Sequence, residues 1–127
     1  MDEKHLTAIE HLTAIEHLTS ETVAAAVSRP GITVIDFWAE WCGPCRAMAP
    51  QFERAAALRP QYRFAKVDVD AEPAVAAEYG IRSIPTLMVL LGGEPVAAQS
   101  GVIAAEDLVA ALDRIVSTLG LGERAAA

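Results

Sequence analysis

Apolar residues fall into short runs along the chain, and these runs predict the strands of a sheet. ITVIDFW (32–38) is β-branched and aromatic, and it is apolar on both faces apart from Asp36. That pattern is typical of a central strand buried from both sides. YRFAKVDVD (62–70) alternates between apolar and polar residues and predicts a second strand, and TLMVLL (86–91) predicts a third.

A hairpin signal follows the third strand. Gly92 and Gly93 form a two-residue turn between apolar runs. We therefore expect EPVAAQS (94–100) to pair with the preceding strand. Pro95 has no N–H to donate to a neighbouring strand, which places this segment at the edge of the sheet.

Helical spacing of apolar residues predicts four helices around these strands. They cover residues 20–27, with Thr19 or Ser20 as the N-cap, and residues 43–58, 72–80 and 105–119. The second helix has its apolar side on Ala47, Met48, Phe52, Ala55 and Ala56. Pro50 is expected to kink that helix. The last helix carries Leu108, Leu112, Ile115 and Leu119 at helical spacing, and begins at Ala104-Ala105 without a good cap.

Strands that alternate with helices predict a parallel portion of the sheet, and the late hairpin adds an antiparallel edge. The predicted fold class is therefore α/β, a mixed sheet with helices on both faces. A chain of 127 residues supports one domain. We divide it into an N-terminal extension over 1–17, a domain over 18–119 and a C-terminal tail over 120–127.

The N-terminal extension is repetitive. HLTAIE occurs at 5–10 and again at 11–16, and HLTSET follows at 17–22. A period of six matches neither a helical stripe nor a known solenoid repeat. Three hypotheses stay open: a duplication without function, a helical extension that packs on a neighbour, or a metal or pH role for His5, His11 and His17. Histidines six residues apart do not share a helix face, which weakens the third hypothesis.

Composition and charge limit the function classes. Hydrophobic residues make up 53% of the chain and charged residues 21%, which is a globular composition. The net charge of −7 argues against nucleic acid or an anionic membrane as partner, since these need clustered Lys and Arg. The opening MDEK lacks the basic start and apolar stretch of a signal peptide, and no apolar run approaches the ~18 residues of a membrane span. We expect a cytoplasmic protein, where structural disulfides are rare.

The cysteine chemistry is concentrated in one tetrapeptide. The chain has two cysteines, Cys42 and Cys45, both within WAEWCGPCR (38–46). A structural zinc site needs about four ligands, and the chain offers one cysteine pair and the histidines of the repeat, so zinc is the weaker hypothesis. Two thiols in a Cys-x-x-Cys at the start of a helix can close into a disulfide and reopen, which favours redox chemistry.

The two cysteines are expected to have different roles. Cys42 should lie at the N-terminus of the helix over 43–58, where unpaired N–H groups and the helix dipole favour a thiolate. Lowering a thiol pKa from about 8.5 to near 7 takes roughly 2 kcal/mol, more than the ~0.3–1 kcal/mol typical of a helix terminus. A hydrogen bond from the Cys45 thiol is expected to add to it. We predict that Cys42 is exposed and attacks a target disulfide, and that Cys45 is more buried and resolves the mixed disulfide.

Five segments of the chain, in this order, carry a family resemblance. They are DFWAEWCGPCR (36–46), KVDVD (66–70), YGIRSIPT (79–86), GGE (92–94) and SG (100–101). Together they resemble the thioredoxin family of the classical Trp-Cys-Gly-Pro-Cys type over residues 18–119. The resemblance implies the thioredoxin-like three-layer α/β/α sandwich with a central mixed sheet.

The resemblance also implies roles for two charged residues. Asp36 matches the buried aspartate that assists deprotonation of the inner cysteine, here Cys45. A lone carboxylate on a buried strand has a raised pKa and can exchange protons near neutrality, although an Asp at a frayed strand end is the alternative. Lys66 matches a lysine near that aspartate, and an ordinary solvated lysine is the alternative.

A docking surface follows from the resemblance as well. Pro85 matches the cis-proline that packs against the active-site sulfurs, which would leave the Ile84 backbone free to pair with an extended substrate strand. The implied flat apolar surface is made by Trp41, Gly43, Pro44, Ile84, Pro85, Gly101 and Val102. Trp38 is interpreted as mostly structural, under the active-site loop.

The implied function is reduction of protein disulfides. Thioredoxin reductase and disulfide-containing client proteins are the implied partners, a monomer is expected, and no bound cofactor is expected because the chain shows no Gly-rich nucleotide motif. An oxidase or isomerase of the same fold is a rival, against which the Gly-Pro between the cysteines and the lack of an export signal argue. A redox-sensing binding module of the same fold, which grips a partner in its reduced form, is the other.

Overall fold

The computed structural model describes residues 15–120, which contain five strands and four helices. In chain order they are β1 (Glu16–His17), α1 (Val23–Val27), β2 (Ile32–Trp38), α2 (Gly43–Leu58), β3 (Arg63–Asp68), α3 (Pro73–Glu78), β4 (Thr86–Leu91), β5 (Glu94–Ser100) and α4 (Ala105–Thr118). The first repeat and most of the second, with His5 and His11, and most of the predicted C-terminal tail lie outside the described residues.

The strands form one mixed sheet with the order β1-β3-β2-β4-β5. β1 and β2 run parallel to β3, β4 runs antiparallel to β2, and β5 runs antiparallel to β4. β2 has the bounds that its apolar run predicts, Ile32–Trp38, and is buried almost throughout. The predicted mixed sheet with a buried central strand is confirmed.

Each face of the sheet has its own apolar core, because successive side chains of a strand point to opposite faces. On one face, Val34 and Leu87 pack with residues of α2 and α4, and the rings of Phe52 and Phe64 meet edge to face at 5.3 Å between centroids. On the other face, strand residues pack with α1 and α3. The helices therefore lie on both sides of the sheet, as the fold class predicts.

β1 was not predicted from the sequence. Its two residues pair with Ala65 and Lys66 of β3, and Leu18 follows, buried, with its N–H donating to the Lys66 carbonyl at 2.9 Å. A two-residue strand is too short to give a periodic pattern. The residues just before the predicted domain boundary thus take part in the sheet, and the boundary itself stays a prediction.

The first helix is shorter than predicted, and the predicted cap residue Thr19 acts in the turn before it. α1 begins at Val23, after Thr22. Thr19 Oγ1 accepts from the Glu21 N–H at 3.2 Å, the Thr19 N–H donates to Thr22 Oγ1 at 2.9 Å, and the Val23 N–H donates to the Thr19 carbonyl. Thr19–Thr22 therefore forms a separate turn, because threonine side chains compete with the helix for backbone partners.

The two long helices have nearly the predicted bounds, with some apolar positions misassigned. In α2, which continues across Pro50, Ala47 is exposed rather than part of the apolar side. In α4, Leu119 lies beyond the last residue and is exposed, while Val109 and Val116 are buried. Alanine contributes little to an apolar stripe, so its neighbours decide which face is buried.

β5 is the outer strand that its sequence predicts, and it is mostly exposed. Its pairing with β4 is irregular between Val89 and Leu90: Val89 pairs with Ala97, whereas Leu90 pairs with Pro95. Val96 is therefore an extra residue in β5, which makes a β-bulge in the edge strand.

Candidate active site

The two cysteines close into a disulfide at the start of α2. Cys42 is the N-cap residue, with extended backbone angles, and Cys45 lies in the first helical turn. Their Cα atoms are 5.2 Å apart. A Cys-x-x-Cys that spans a helix start brings the two sulfurs together because residues three apart in a helical turn are neighbours. The geometry is that of a pair that can open and close by thiol–disulfide exchange.

The prediction that Cys42 is exposed is wrong for this oxidised state. Cys42 and Cys45 are each only 4% exposed, and both pack with Ala39 in a small apolar cluster. Trp38 and Ile84 cover this cluster from the strand and from the loop before β4. Sequence position alone could not show the part of this cover that comes from Ile84, which lies 42 positions after Cys42.

Backbone groups at the helix start face the Cys42 sulfur. The Cys45 N–H donates to Cys42 Sγ at 3.2 Å. Pro44 lies in the first turn, where its missing N–H costs nothing. Gly43 and Pro44 are both exposed, and a Cβ built on Gly43 would find no atom within 4 Å. The site therefore has an N–H donor aimed at the Cys42 sulfur and open space at Gly43.

Asp36 is buried within β2 and is 1% exposed. The strand continues to Trp38, which excludes a frayed strand end. Neither carboxylate oxygen has a hydrogen-bond partner among the described residues. Burial raises the pKa of Asp36 to about 6, and the positive charge of Lys66 opposes part of that rise. Asp36 shares its strand face with Val34 and Trp38, since alternate residues of a strand point the same way.

Lys66 lies directly opposite Asp36 in the parallel pairing of β2 and β3. It is half-buried, and its Nζ lies 4.8 Å from the centroid of the Trp38 ring. A cation above an indole face is attracted by the ring electrons. Trp38 is itself half-buried, and its Nε1 has no hydrogen-bond partner among the described residues. Asp36, Lys66 and Trp38 are therefore neighbours, and Trp38 also packs against the cysteine cluster.

The Ile84–Pro85 peptide bond is cis, in agreement with the resemblance. The carbonyl oxygen of Ile84 lies 3.9 Å from Cys42 Sγ. The carbonyl oxygen of Pro85 accepts from the Gly101 N–H at 2.9 Å, which brings the loop after β5 to the same edge. Val102 follows with 48% of its surface exposed.

Trp41 is 67% exposed and lines a shallow groove of about 200 Å³ with Ile84, Val69 and Ile81. The residues of the implied docking surface thus lie just before and at the start of α2, in the loop before β4 and in the loop after β5.

One residue at the site was not predicted. Trp41 Nε1 donates to Asp70 Oδ2 at 2.7 Å, so Asp70 holds the exposed indole in place. Asp68 Oδ1 accepts from the backbone N–H groups of Asp70 and Ala71, which ends β3 and turns Asp70 toward the tryptophan. The available sequence signal was the pair of aspartates at the end of KVDVD (66–70), a position from which side chains reach the edge of a sheet.

Among residues 15–120, no three His, Cys, Asp or Glu side chains lie close enough together to hold a metal ion. His17, the third histidine of the repeat, is exposed on β1. In the same residues, no helix is both long and apolar enough to cross a lipid bilayer.

Comparison with known proteins gives one consistent answer. Residues 14–114 match the family model of thioredoxin. The chain is 44% identical over 85 residues to a thioredoxin of Staphylococcus aureus, covering 66% of this chain and 82% of that protein. It is 44% identical over 81 residues to thioredoxin C-3 of Corynebacterium nephridii, covering 64% and 56%. The chain spans little more than half the length of the first two curated relatives it matches, 52% and 56%.

The fold is also that of a solved structure. The crystal structure of Malassezia sympodialis thioredoxin (Mala s 13) superposes with a TM-score of 0.73 at 31% sequence identity. The match covers 79% of this chain and 89% of that one.

Proposed function

Because this chain belongs to the thioredoxin family, we propose that it is a protein disulfide reductase, which reduces client disulfides by exchange through Cys42 and Cys45. The observation that carries the proposal is the closure of these two cysteines into a disulfide at the start of α2. The chain thereby has a two-electron couple of its own, and the surrounding loops offer a place for a polypeptide to dock.

The first step is attack by Cys42. In the reduced protein its thiolate attacks one sulfur of a client disulfide, a new S–S bond joins Cys42 to the client, and the other client sulfur leaves as a thiolate. The N–H of Cys45, which points at Cys42 Sγ, and the helix terminus favour negative charge on this sulfur. Gly43, next to Cys42, adds no side chain to the path of a client sulfur, although Cys42 itself is buried in the oxidised state.

The second step is resolution by Cys45. Its thiolate attacks Cys42 Sγ, the Cys42–Cys45 disulfide forms, the bond between Cys42 and the client breaks, and the second client sulfur leaves as a thiolate. The client thus gains two electrons, and its two thiolates take up protons from water. Asp36 serves in proton transfer and accepts the Cys45 proton. A carboxyl with a pKa of about 6 is mostly ionised at pH 7 and yet basic enough to take up a proton. Lys66, beside Asp36, limits the rise of that pKa.

Clients dock as extended segments. The backbone of Ile84, next to the cis bond to Pro85, is close to Cys42 Sγ and can pair with a client strand. Trp41, Gly101 and Val102 supply the surrounding surface, with Gly43 and Pro44 on the helix side. Trp38 supports the loop from below.

The remaining parts of the proposal concern the setting. Thioredoxin reductase regenerates the dithiol, and the protein works as a monomer in the cytoplasm, where a disulfide reductase meets newly oxidised proteins. Nucleic acid and membranes are not partners, in keeping with the net charge of −7. The protein uses no bound cofactor. The domain spans 18–119, with the repeat and the tail as flanking segments.

Turnover with a protein substrate tests the proposal. The full chain is mixed with insulin, NADPH and a thioredoxin reductase, and NADPH oxidation is followed. We expect many turnovers per molecule, none for Cys42→Ser, and a trapped insulin adduct through Cys42 for Cys45→Ser. Absence of turnover by the wild type, when dithiothreitol reduces its disulfide normally, would sink the proposal.

The same proteins separate the reductase from a redox-sensing binding module. A binding module forms a stoichiometric complex that survives the serine substitutions and shows no turnover. A midpoint potential well below that of the glutathione pool, measured by thiol alkylation and mass after equilibration in dithiol buffers, supports the reductase. A much more oxidising value favours disulfide donation or sensing.

A further inference from the structure

The last helix lacks a cap of its own. Ala104 occupies the N-cap position of α4, with extended backbone angles, and an alanine side chain offers no acceptor to the free N–H groups of the first turn. Ala105 is fully buried, so its N–H needs a partner. That partner is Gln51 Oε1, 2.8 Å away on α2. Because a backbone N–H donates, the side-chain atom that faces it is the amide oxygen.

Two further contacts flank this hydrogen bond. Met48 Sδ accepts from the Ile103 N–H at 3.4 Å, and Arg54 forms an ion pair with Glu106. The α2 residues of these three contacts are spaced three apart, at 48, 51 and 54, and so lie along one side of the helix. The segment from 103 to 106 is therefore attached to the helix that begins at the disulfide.

The other end of this segment is attached to the docking loop. The Gly101 N–H donates to the Pro85 carbonyl at 2.9 Å. Residues 101–106 are thus held between the cis-proline and α2, and Val102, which is exposed, lies between the two attachments. Of the attachments to α2, the Gln51 hydrogen bond is the one with a buried donor and a strong neutral acceptor, whereas sulfur is a weak acceptor and the ion pair is exposed.

We propose that Gln51 is a positioning residue for protein clients: it caps α4 from the neighbouring helix and thereby fixes the loop that carries Gly101 and Val102 next to the disulfide. This inference rests on the proposed function, since it concerns how the same site holds its substrate. Without the cap, the first turn of α4 loosens, and the loop must be ordered when a client binds. A small disulfide, which needs only the sulfurs, does not experience that cost.

The size of the effect follows from the cap. Loss of a helix N-cap costs about 1 kcal/mol, which corresponds to roughly a fivefold change in an equilibrium constant. Gln51→Met keeps the length of the side chain and removes the amide oxygen. We expect it to raise the KM for insulin about fivefold, to leave kcat within about twofold, and to leave the rate with 5,5′-dithiobis(2-nitrobenzoate) unchanged.

Ala104→Ser provides a rescue, because serine at this N-cap position can accept from the first turn of α4 locally. In the Gln51→Met background it is expected to return the KM for insulin to within about twofold of the wild type. Gln51→Glu, which keeps an acceptor oxygen, is expected to stay within the same range. Glu53→Met, at an exposed position of α2, is the matched control and should leave both substrates unaffected.

The outcomes separate this inference from the proposed function. If the wild type reduces insulin but Gln51→Met has an unchanged KM, or slows both substrates alike, the positioning role is wrong. Failure of Ala104→Ser to restore the KM for insulin in the Gln51→Met background also overturns it. A fivefold rise of the KM for insulin in Gln51→Glu overturns it as well, and this second test can be made even where Gln51→Met does not fold. If the wild type itself reduces neither substrate, the proposed function fails first.

Discussion

Replacing Asp36 by asparagine should make the oxidised protein more stable at neutral pH. The side chain is buried in β2, and neither oxygen has a hydrogen-bond partner among the described residues. Burial without partners disfavours the charged form, so the folded protein must either keep a proton on this carboxyl or bury a poorly solvated charge. Asn has nearly the same shape and no charge at any pH.

The magnitude follows from the pKa. It is raised from 3.8 to about 6 in the folded protein. Since the folded state holds the proton more tightly than the unfolded state, this group lowers the free energy of unfolding as the pH rises from about 3.8 to about 6. At about 1.36 kcal/mol per pH unit, the total loss is about 3 kcal/mol, and it is complete above pH 7. The free energy of unfolding of Asp36→Asn relative to the wild type should therefore grow by about 3 kcal/mol as the pH rises from 3.5 to 7.5.

Urea denaturation of the oxidised proteins at several pH values measures this gain. The difference in free energy of unfolding between Asp36→Asn and the wild type is the quantity of interest, and Glu53→Gln, an exposed substitution on α2, controls for the loss of one negative charge. Lys66→Met should move the pH window upward, because the lysine charge lowers the pKa of Asp36. A difference between Asp36→Asn and the wild type that is the same at pH 3.5 and pH 7.5 would refute the reasoning.

Three further predictions concern the core, a tyrosine and the exposed indole. Phe52→Ala should lose about 3–5 kcal/mol in urea denaturation because the ring is fully buried, whereas the exposed Leu58→Ala should lose less than about 1 kcal/mol; equal losses would contradict the core assignment. In a Tyr79→Phe background, absorbance at alkaline pH should show Tyr62 ionising with a pKa of about 12, raised chiefly by burial. This tyrosine therefore lowers the free energy of unfolding as the pH rises from 10 to about 12. An ionisation of Tyr62 near pH 10 would contradict the prediction. Trp41→Phe removes one hydrogen bond of a mostly exposed side chain, so its unfolding free energy should change by less than about 1 kcal/mol, and a loss of several kcal/mol would assign Trp41 to the core.

The central part of the fold could be predicted from the sequence because its signals are local. The run around Asp36 is apolar on both faces, and a strand of that kind belongs in the middle of a sheet. The hairpin at Gly92 and Gly93 and the edge position of Pro95 follow from turn and backbone chemistry in the same way. Cys42 and Cys45 identify the site themselves, because two thiols at a helix start allow few other uses.

The rest depends on contacts between distant segments. The cover over Cys42 comes from Ile84, the carboxylate that orients Trp41 comes from Asp70, and the cap of α4 comes from Gln51, 54 residues before Ala105. The spacing of apolar residues predicts which face of a helix or strand is buried. It does not predict which side chain from another segment contacts that face. For this reason the sequence predicted correctly that α4 lacks a local cap and could not show what replaces it.

The bulged outer strand has a consequence for the protein in a concentrated solution. A sheet edge presents unpaired backbone groups that can recruit a foreign strand, and a regular edge invites copies of the protein to join into fibres. In β5, Pro95 removes one donor, the extra residue Val96 breaks the spacing of the others, and the exposed Glu94 adds a charge. The edge strand that would otherwise join copies of the protein into fibres is thus the part of the sheet least suited to pair with another strand.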